Sequence, residues 1–151
     1  MLAMFAVMLR FALIAPSSVS GGEALSVARP AVDDLVHDPI VLSFFRVLVR
    51  QARLDRDAEQ AAFIVRTPEG ALYFVWWPAR DERNSVQWRG PLPDGVIAIV
   101  HTHPAWLPMP SKLDRTTASR TRMPVYVVTP FLIVKTTGGP SEVVIAGEKA
   151  W

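Results

Sequence analysis

Two histidines one residue apart, His101 and His103, close the apolar run VIAIV, and Ser111 and Asp114 follow at short offsets. In an extended strand, residues i and i+2 project to the same face. The run therefore offers both imidazoles to a single point. Zinc accepts imidazole nitrogen at about 2.0–2.1 Å, and a catalytic zinc takes three protein ligands and leaves a fourth position for water. The chain has no cysteine, and its third histidine, His37, stands in a linker-like stretch, so the third ligand should be a carboxylate. Asp114, one helical turn into the segment that follows, is the best placed, and Ser111 at the cap of that helix would face the same cleft. The plain alternative is a strand end decorated with polar residues. The pattern H-x-H-x7-S-x2-D arises by chance in about 2 in 10,000 chains of this composition, which favours the metal reading.

Such a cluster needs a strand, a loop and a helix to hold it, and the neighbouring sequence supplies them. Residues 96–101 form a continuous apolar run bounded by turn residues, as in a strand buried on both faces. SKLDRTTASRT (111–121) reads as a helix capped by Ser111. Upstream, Asp38 can cap a helix that begins at Pro39. There Ile40, Val41, Phe44, Phe45, Leu48 and Ala52 recur at helical spacing, with Arg46, Arg50, Arg53 and Asp55 largely on the other side. AAFIVR (61–66), the turn TPEG and ALYFVWW (71–77) read as a hairpin. Residues 78–95 are a long loop that could cover the cleft. VYVVT, FLIVK and EVVIA (142–146) supply further strands. The expected fold is α/β (α+β), a mixed sheet flanked by helices in a single domain over residues 38–151.

The composition agrees with one globular unit of 151 residues, half hydrophobic and a fifth charged. The net charge is only +2 and no run of Lys or Arg suggests a nucleic-acid arm, so no nucleic-acid partner is expected. Residues 1–20 read as a signal peptide: an apolar stretch passes into small residues, with Ser18-Val19-Ser20 before Gly21. The alternative is a mobile extension, in which case the protein is cytoplasmic rather than exported. The apolar stretch falls short of the about 20 residues a membrane span needs. Residues 21–37, rich in Ser, Gly, Pro and Asp, read as a linker with no core pattern.

His101-Thr102-His103-Pro104, followed by Pro110-Ser111 and Asp114, resembles the JAMM signature of the MPN-domain zinc metalloproteases. TTASRTRMPVYVVTP resembles that family's helix and strand after the aspartate. Among its members, the chain looks most similar to bacterial JAB-like domains, including domains of unknown function attached to polymorphic toxins. The likeness spans roughly residues 38–146 and is strongest over 101–130.

The resemblance implies an MPN-like fold and zinc held by His101, His103 and Asp114. It also implies Ser111 as a stabiliser of the oxyanion and an upstream glutamate as general base. Glu59, which follows the first helix and opens EQAAFIV, matches that place; Glu69 is the competitor but lies in the TPEG turn. The implied chemistry is hydrolysis of a peptide or isopeptide bond in a peptide or protein substrate, such as a ubiquitin-like protein or a toxin partner. A catalytically silent MPN-like binding or assembly module is the alternative. A zinc deaminase is disfavoured, because its P-C-x-x-C ligands cannot come from a chain without cysteine. Trp76, Trp77, Trp88 and Trp106 read as core or loop packing, with Trp106 placed where it could line a substrate groove.

Overall fold

The computed structural model describes residues 32–55, 58–78 and 87–146. The first long helix, α1 (Pro39–Leu54), starts where the side chain of Asp38 accepts hydrogen bonds from the N–H groups of Ile40 and Val41. Pro39 occupies the first turn, where its missing N–H costs nothing. Val41, Phe45, Leu48, Val49 and Ala52 form the buried stripe of α1. The helix ends at Asp55, whose N–H donates to the Gln51 carbonyl.

Strands β1 (Ala61–Arg66) and β2 (Leu72–Trp76) make the expected hairpin. Strand β3 (Val96–Thr102) pairs with the other side of β1 in antiparallel register, placing Ala61 opposite His101. Gly95, at φ 75°, lets the chain enter β3 tightly, since an added Cβ would collide with the Arg66 carbonyl oxygen. After β3 come helix α2 (Lys112–Thr121) and strands β4 (Val125–Val128), β5 (Leu132–Thr136) and β6 (Glu142–Ala146). The six strands form one sheet in the order β2-β1-β3-β4-β5-β6. Only β3 and β4 are parallel neighbours. Parallel neighbours require a crossover, and α2 is that crossover.

The period-2 alternation sorts the strand residues onto two faces. Ala62, Ile64, Ala98, Val100, Tyr126, Val128 and Ile133 share a core with the buried stripe of α1. Ala61, Phe63, Val65, Ile99 and Val125 pack instead with Ala118 of α2 and with Trp77. Trp77 and Trp88 each lie 5.0 Å from Phe63, ring centre to ring centre, so these two tryptophans are packing residues. Gly138, at φ 106°, packs so closely on α2 that a side chain there would strike Ser119. This contact braces the helix that carries Asp114. The mixed sheet flanked by helices in one domain is the architecture expected from the sequence.

The linker reading of residues 21–37 stops short of its last residues. Val32–His37 form a 3-10 turn, and Leu35 and Val36 are buried in the core beneath α1. Two adjacent apolar residues are too short a pattern to announce a core segment among Pro and Asp. The signal-peptide reading lies outside the described residues, as do residues 79–86 of the long loop. Among the described residues, no helix is long and apolar enough to cross a membrane.

Candidate metal centre

The end of β3 is held from both sides. Beyond the Ala61–His101 pair, the Thr102 N–H donates to the Gln60 carbonyl at 2.9 Å, and the Gln60 N–H donates to the Thr102 hydroxyl oxygen at 3.0 Å. Continued one residue further, this register brings Glu59 across from His103. On the other flank His101 pairs with Val127 of β4, and the His103 N–H donates to the Val128 carbonyl. His101 and His103 alternate onto the face that α2 covers.

Helix α2 delivers the carboxylate through its own cap. The Ser111 hydroxyl accepts from the Asp114 N–H at 3.1 Å, and Asp114 Oδ2 accepts from the Ser111 N–H at 2.6 Å. This reciprocal capping box satisfies two orphan backbone donors. It also fixes the Asp114 rotamer, with Oδ2 engaged and Oδ1 left for the site. Oδ1 stands 3.1 Å from His101 Nε2, and Oδ2 stands 3.9 Å from His103 Nε2. The two imidazole rings meet edge to face at 4.7 Å. His103 Nδ1 lies 2.9 Å from the Leu107 carbonyl oxygen, an acceptor that keeps the proton on Nδ1 and turns the lone pair of Nε2 toward Asp114.

One potential ligand atom each from His101, His103 and Asp114 can be chosen so that all three lie within 4.8 Å of one another, and all three residues are buried. Both nitrogens of His101, Nε2 of His103 and Oδ1 of Asp114 are buried without a hydrogen-bond partner. The 3.1 Å approach of His101 to Asp114 is close, yet it lacks the alignment of a hydrogen bond. Orphaned buried polar atoms cost about 1–3 kcal/mol each. A cation held by one atom from each residue removes that cost for three of them and leaves one nitrogen of His101, so the residues fit a metal ion, and two imidazoles with a carboxylate suit zinc.

The protonation energetics follow the same geometry. Burial pushes the Glu59 carboxyl up to about 7; the charge on His101 opposes the rise and Asp114 adds to it. Burial penalises the His101 imidazolium, but the Asp114 carboxylate and Glu59 together outweigh it and hold His101 above its ordinary value. His103 is pushed down to about 4, first by burial and then by the charge on His101. For Asp114 burial works upward, but His101 and the two Ser111 hydrogen bonds hold the carboxyl well below the usual range.

The structure thus gathers His101, His103 and Asp114 with Ser111 beside them, and Glu59 is close enough to couple electrostatically to His101 and Asp114. Glu69 is exposed in the hairpin turn, at the far end of β1, and His37 is exposed beside α1. Trp106 is 72% exposed on the loop between the two histidines and Ser111. Sequence reasoning missed Thr102 and Gln60, whose reciprocal hydrogen bonds lock the strand end, and the Leu107 carbonyl that orients His103. A polar β-branched residue between two histidines at the end of a buried strand was a signal for the first. A backbone carbonyl carries no sequence signal.

A family model described as prokaryotic homologs of the JAB domain matches residues 42–142, more than half of the chain and the whole of the site. No curated protein and no solved structure matches the chain.

Proposed function

This chain belongs to the family of prokaryotic JAB-domain homologues, and on that premise we propose that it is a zinc-dependent hydrolase of peptide or isopeptide bonds. His101, His103 and Asp114 hold the metal. Bound there, zinc supplies Lewis acidity, which acidifies water and polarises a carbonyl. The observation that carries the reading is a buried, metal-fitting triad with the buried Glu59 carboxyl beside it. A general base must lie close to the reacting water, and Glu59 is near enough to the triad to couple electrostatically to His101 and Asp114. Glu59 accepts a proton from the attacking water and returns it to the leaving amine, which makes the amine a competent leaving group. The Ser111 oxygen accepts from the Asp114 N–H, while its hydroxyl hydrogen remains available to donate toward the oxyanion. Loss of one such donor typically costs about 10²–10³ in rate. The substrate is a peptide or protein, with a ubiquitin-like conjugate and a toxin partner both fitting this chemistry.

The test combines elemental analysis with a peptide-library digest read by mass spectrometry. We expect about one zinc per folded chain, cleavage by the wild type, and no cleavage by Glu59→Gln with zinc retained. Folded protein purified without chelator that holds no zinc would overturn the metal assignment. A Glu59→Gln variant with full activity would remove Glu59 as base. A zinc-loaded wild type that cleaves no peptide or isopeptide bond favours the silent binding module instead.

A further inference from the structure

The outward face of α1 carries a second organised surface, remote in kind from the metal centre. Ile40, Val47 and Leu54 are 59%, 51% and 69% exposed. They recur every seven residues, two helical turns or about 10 Å apart, so they form one line along the helix. Ser43 and Arg50, also exposed, complete the line at the intervening positions, giving Ile-Ser-Val-Arg-Leu at alternating spacings of three and four. These positions have the a/d spacing of a helix-packing seam, apolar at 40, 47 and 54 and polar at 43 and 50, and they are separate from the stripe Val41, Phe45, Leu48, Val49 and Ala52 that faces the sheet.

The flanks of the seam differ. Arg46 and Arg53, both exposed, stand on one side. Phe44 and Gln51 stand on the other, where Phe44 meets the ring of half-exposed Trp76 at 5.3 Å. No Asp or Glu lies between Pro39 and Leu54. The acids at the two ends are occupied, Asp38 in the cap and Asp55 in accepting from the side-chain amides of Gln51 and Gln60.

We propose that α1 docks an acidic amphipathic helix of a partner protein, with aliphatic residues on the seam and carboxylates against Arg46 and Arg53. Charge complementarity selects this occupant. A second copy of α1 offers Phe and Gln to the arginines in parallel pairing and arginine to arginine in antiparallel pairing, never a carboxylate. Residues 1–31 of this chain offer a single acid, Glu23, too few to meet both arginines. A lipid surface needs a broad apolar face, whereas this seam is one residue wide and interrupted by Ser43 and Arg50.

The experiment titrates the full chain with two synthetic heptad peptides, one with Leu at a and d and Glu at e and g, the other with Lys replacing Glu. We expect the Glu peptide to bind at least about tenfold more tightly than the Lys peptide, with Val47→Asp abolishing binding. Arg46→Glu with Arg53→Glu, both exposed and so tolerant of change, should reverse the preference. Equal binding of the two peptides, or none up to about 1 mM, would sink the proposal. So would a wild-type dimer that Val47→Asp dissociates, or Val47-dependent binding to phosphatidylglycerol vesicles. Peptide binding that appears only after residues 1–31 are removed would assign the seam to the chain's own N-terminus.

Discussion

The two faces of the sheet put burial to opposite uses. Under α1, the buried atoms are almost all apolar, and Phe45, Leu48, Ile64, Val100 and Ile133 fill the space between helix and strands. Under the start of α2, burial closes over two imidazoles and a carboxylate, four of whose polar atoms lack partners. The first face gains by excluding water. The second pays for the same exclusion with unsatisfied polar groups, which a cation at the site would relieve. The lesson is that the α1 side of β3 is core alone, while the α2 side carries both a second apolar core and the candidate site.

Mutations should separate the two faces. The largest effect is expected at the ligands: His101→Ala or His103→Ala should lower zinc affinity at least about a hundredfold, since second-shell losses alone cost 10–100-fold. Asp114→Asn should weaken zinc in the same sense, because a charged ligand oxygen becomes neutral. Competition with a chromophoric chelator measures each. On the opposite face, Phe45→Ala should cost about 3–5 kcal/mol of stability through the cavity it leaves. Zinc affinity of the protein that remains folded should not change. If Phe45→Ala altered zinc affinity as strongly as a ligand mutation, the division between faces would fail.

Glu59 sharpens the contrast through pH. In metal-free protein its carboxyl titrates near 7 rather than 4.5, so the folded state holds a proton that the unfolded chain releases. The contribution of Glu59 to stability is therefore lost as pH rises from 4.5 toward 7, and fully so above that range, while His103, pushed down to about 4, contributes in the opposite direction. Glu59→Gln should stabilise the metal-free protein at pH 8 by up to about 3 kcal/mol, and leave it unchanged near pH 4. Urea unfolding at the two pH values, with chelator present, reads this difference. Glu69→Gln, in the exposed turn, should change neither stability nor zinc content.

The smallest effect is expected at the cap. Ser111→Ala should cost about 1 kcal/mol of stability by leaving the Asp114 N–H without its acceptor. Because the cap also orients Asp114, zinc affinity should fall modestly as well. Ser111→Asp, which can still cap, should recover the stability. An alanine variant with unchanged melting and zinc affinity would show that the capping box does not hold the ligand.

Much of this was legible in the chain itself. His-x-His on a strand places both rings on one face because the strand period is 2, whatever the rest of the fold does. Ser-x-x-Asp caps a helix and positions its own carboxylate within a single turn. Helix α1 announced itself by apolar spacing and by Asp38-Pro39, and the hairpin by its turn residues. These are local signals, written within a few residues of one another.

Tertiary structure decided what depends on distant pairing. Glu59 lies more than forty residues before the histidines, and reaches them only through the antiparallel register of β1 on β3; a slip of one residue would turn it to the other face. That register also creates the Gln60–Thr102 lock. Leu35 and Val36 became core because α1 and the sheet left room that their own segment does not specify. The elevated proton affinity of Glu59 belongs to the same class, since it arises from surroundings assembled by three separate segments. Spacing along the chain fixes which groups share a face, while desolvation and partnership are properties of the packed volume, and only the folded chain defines that volume.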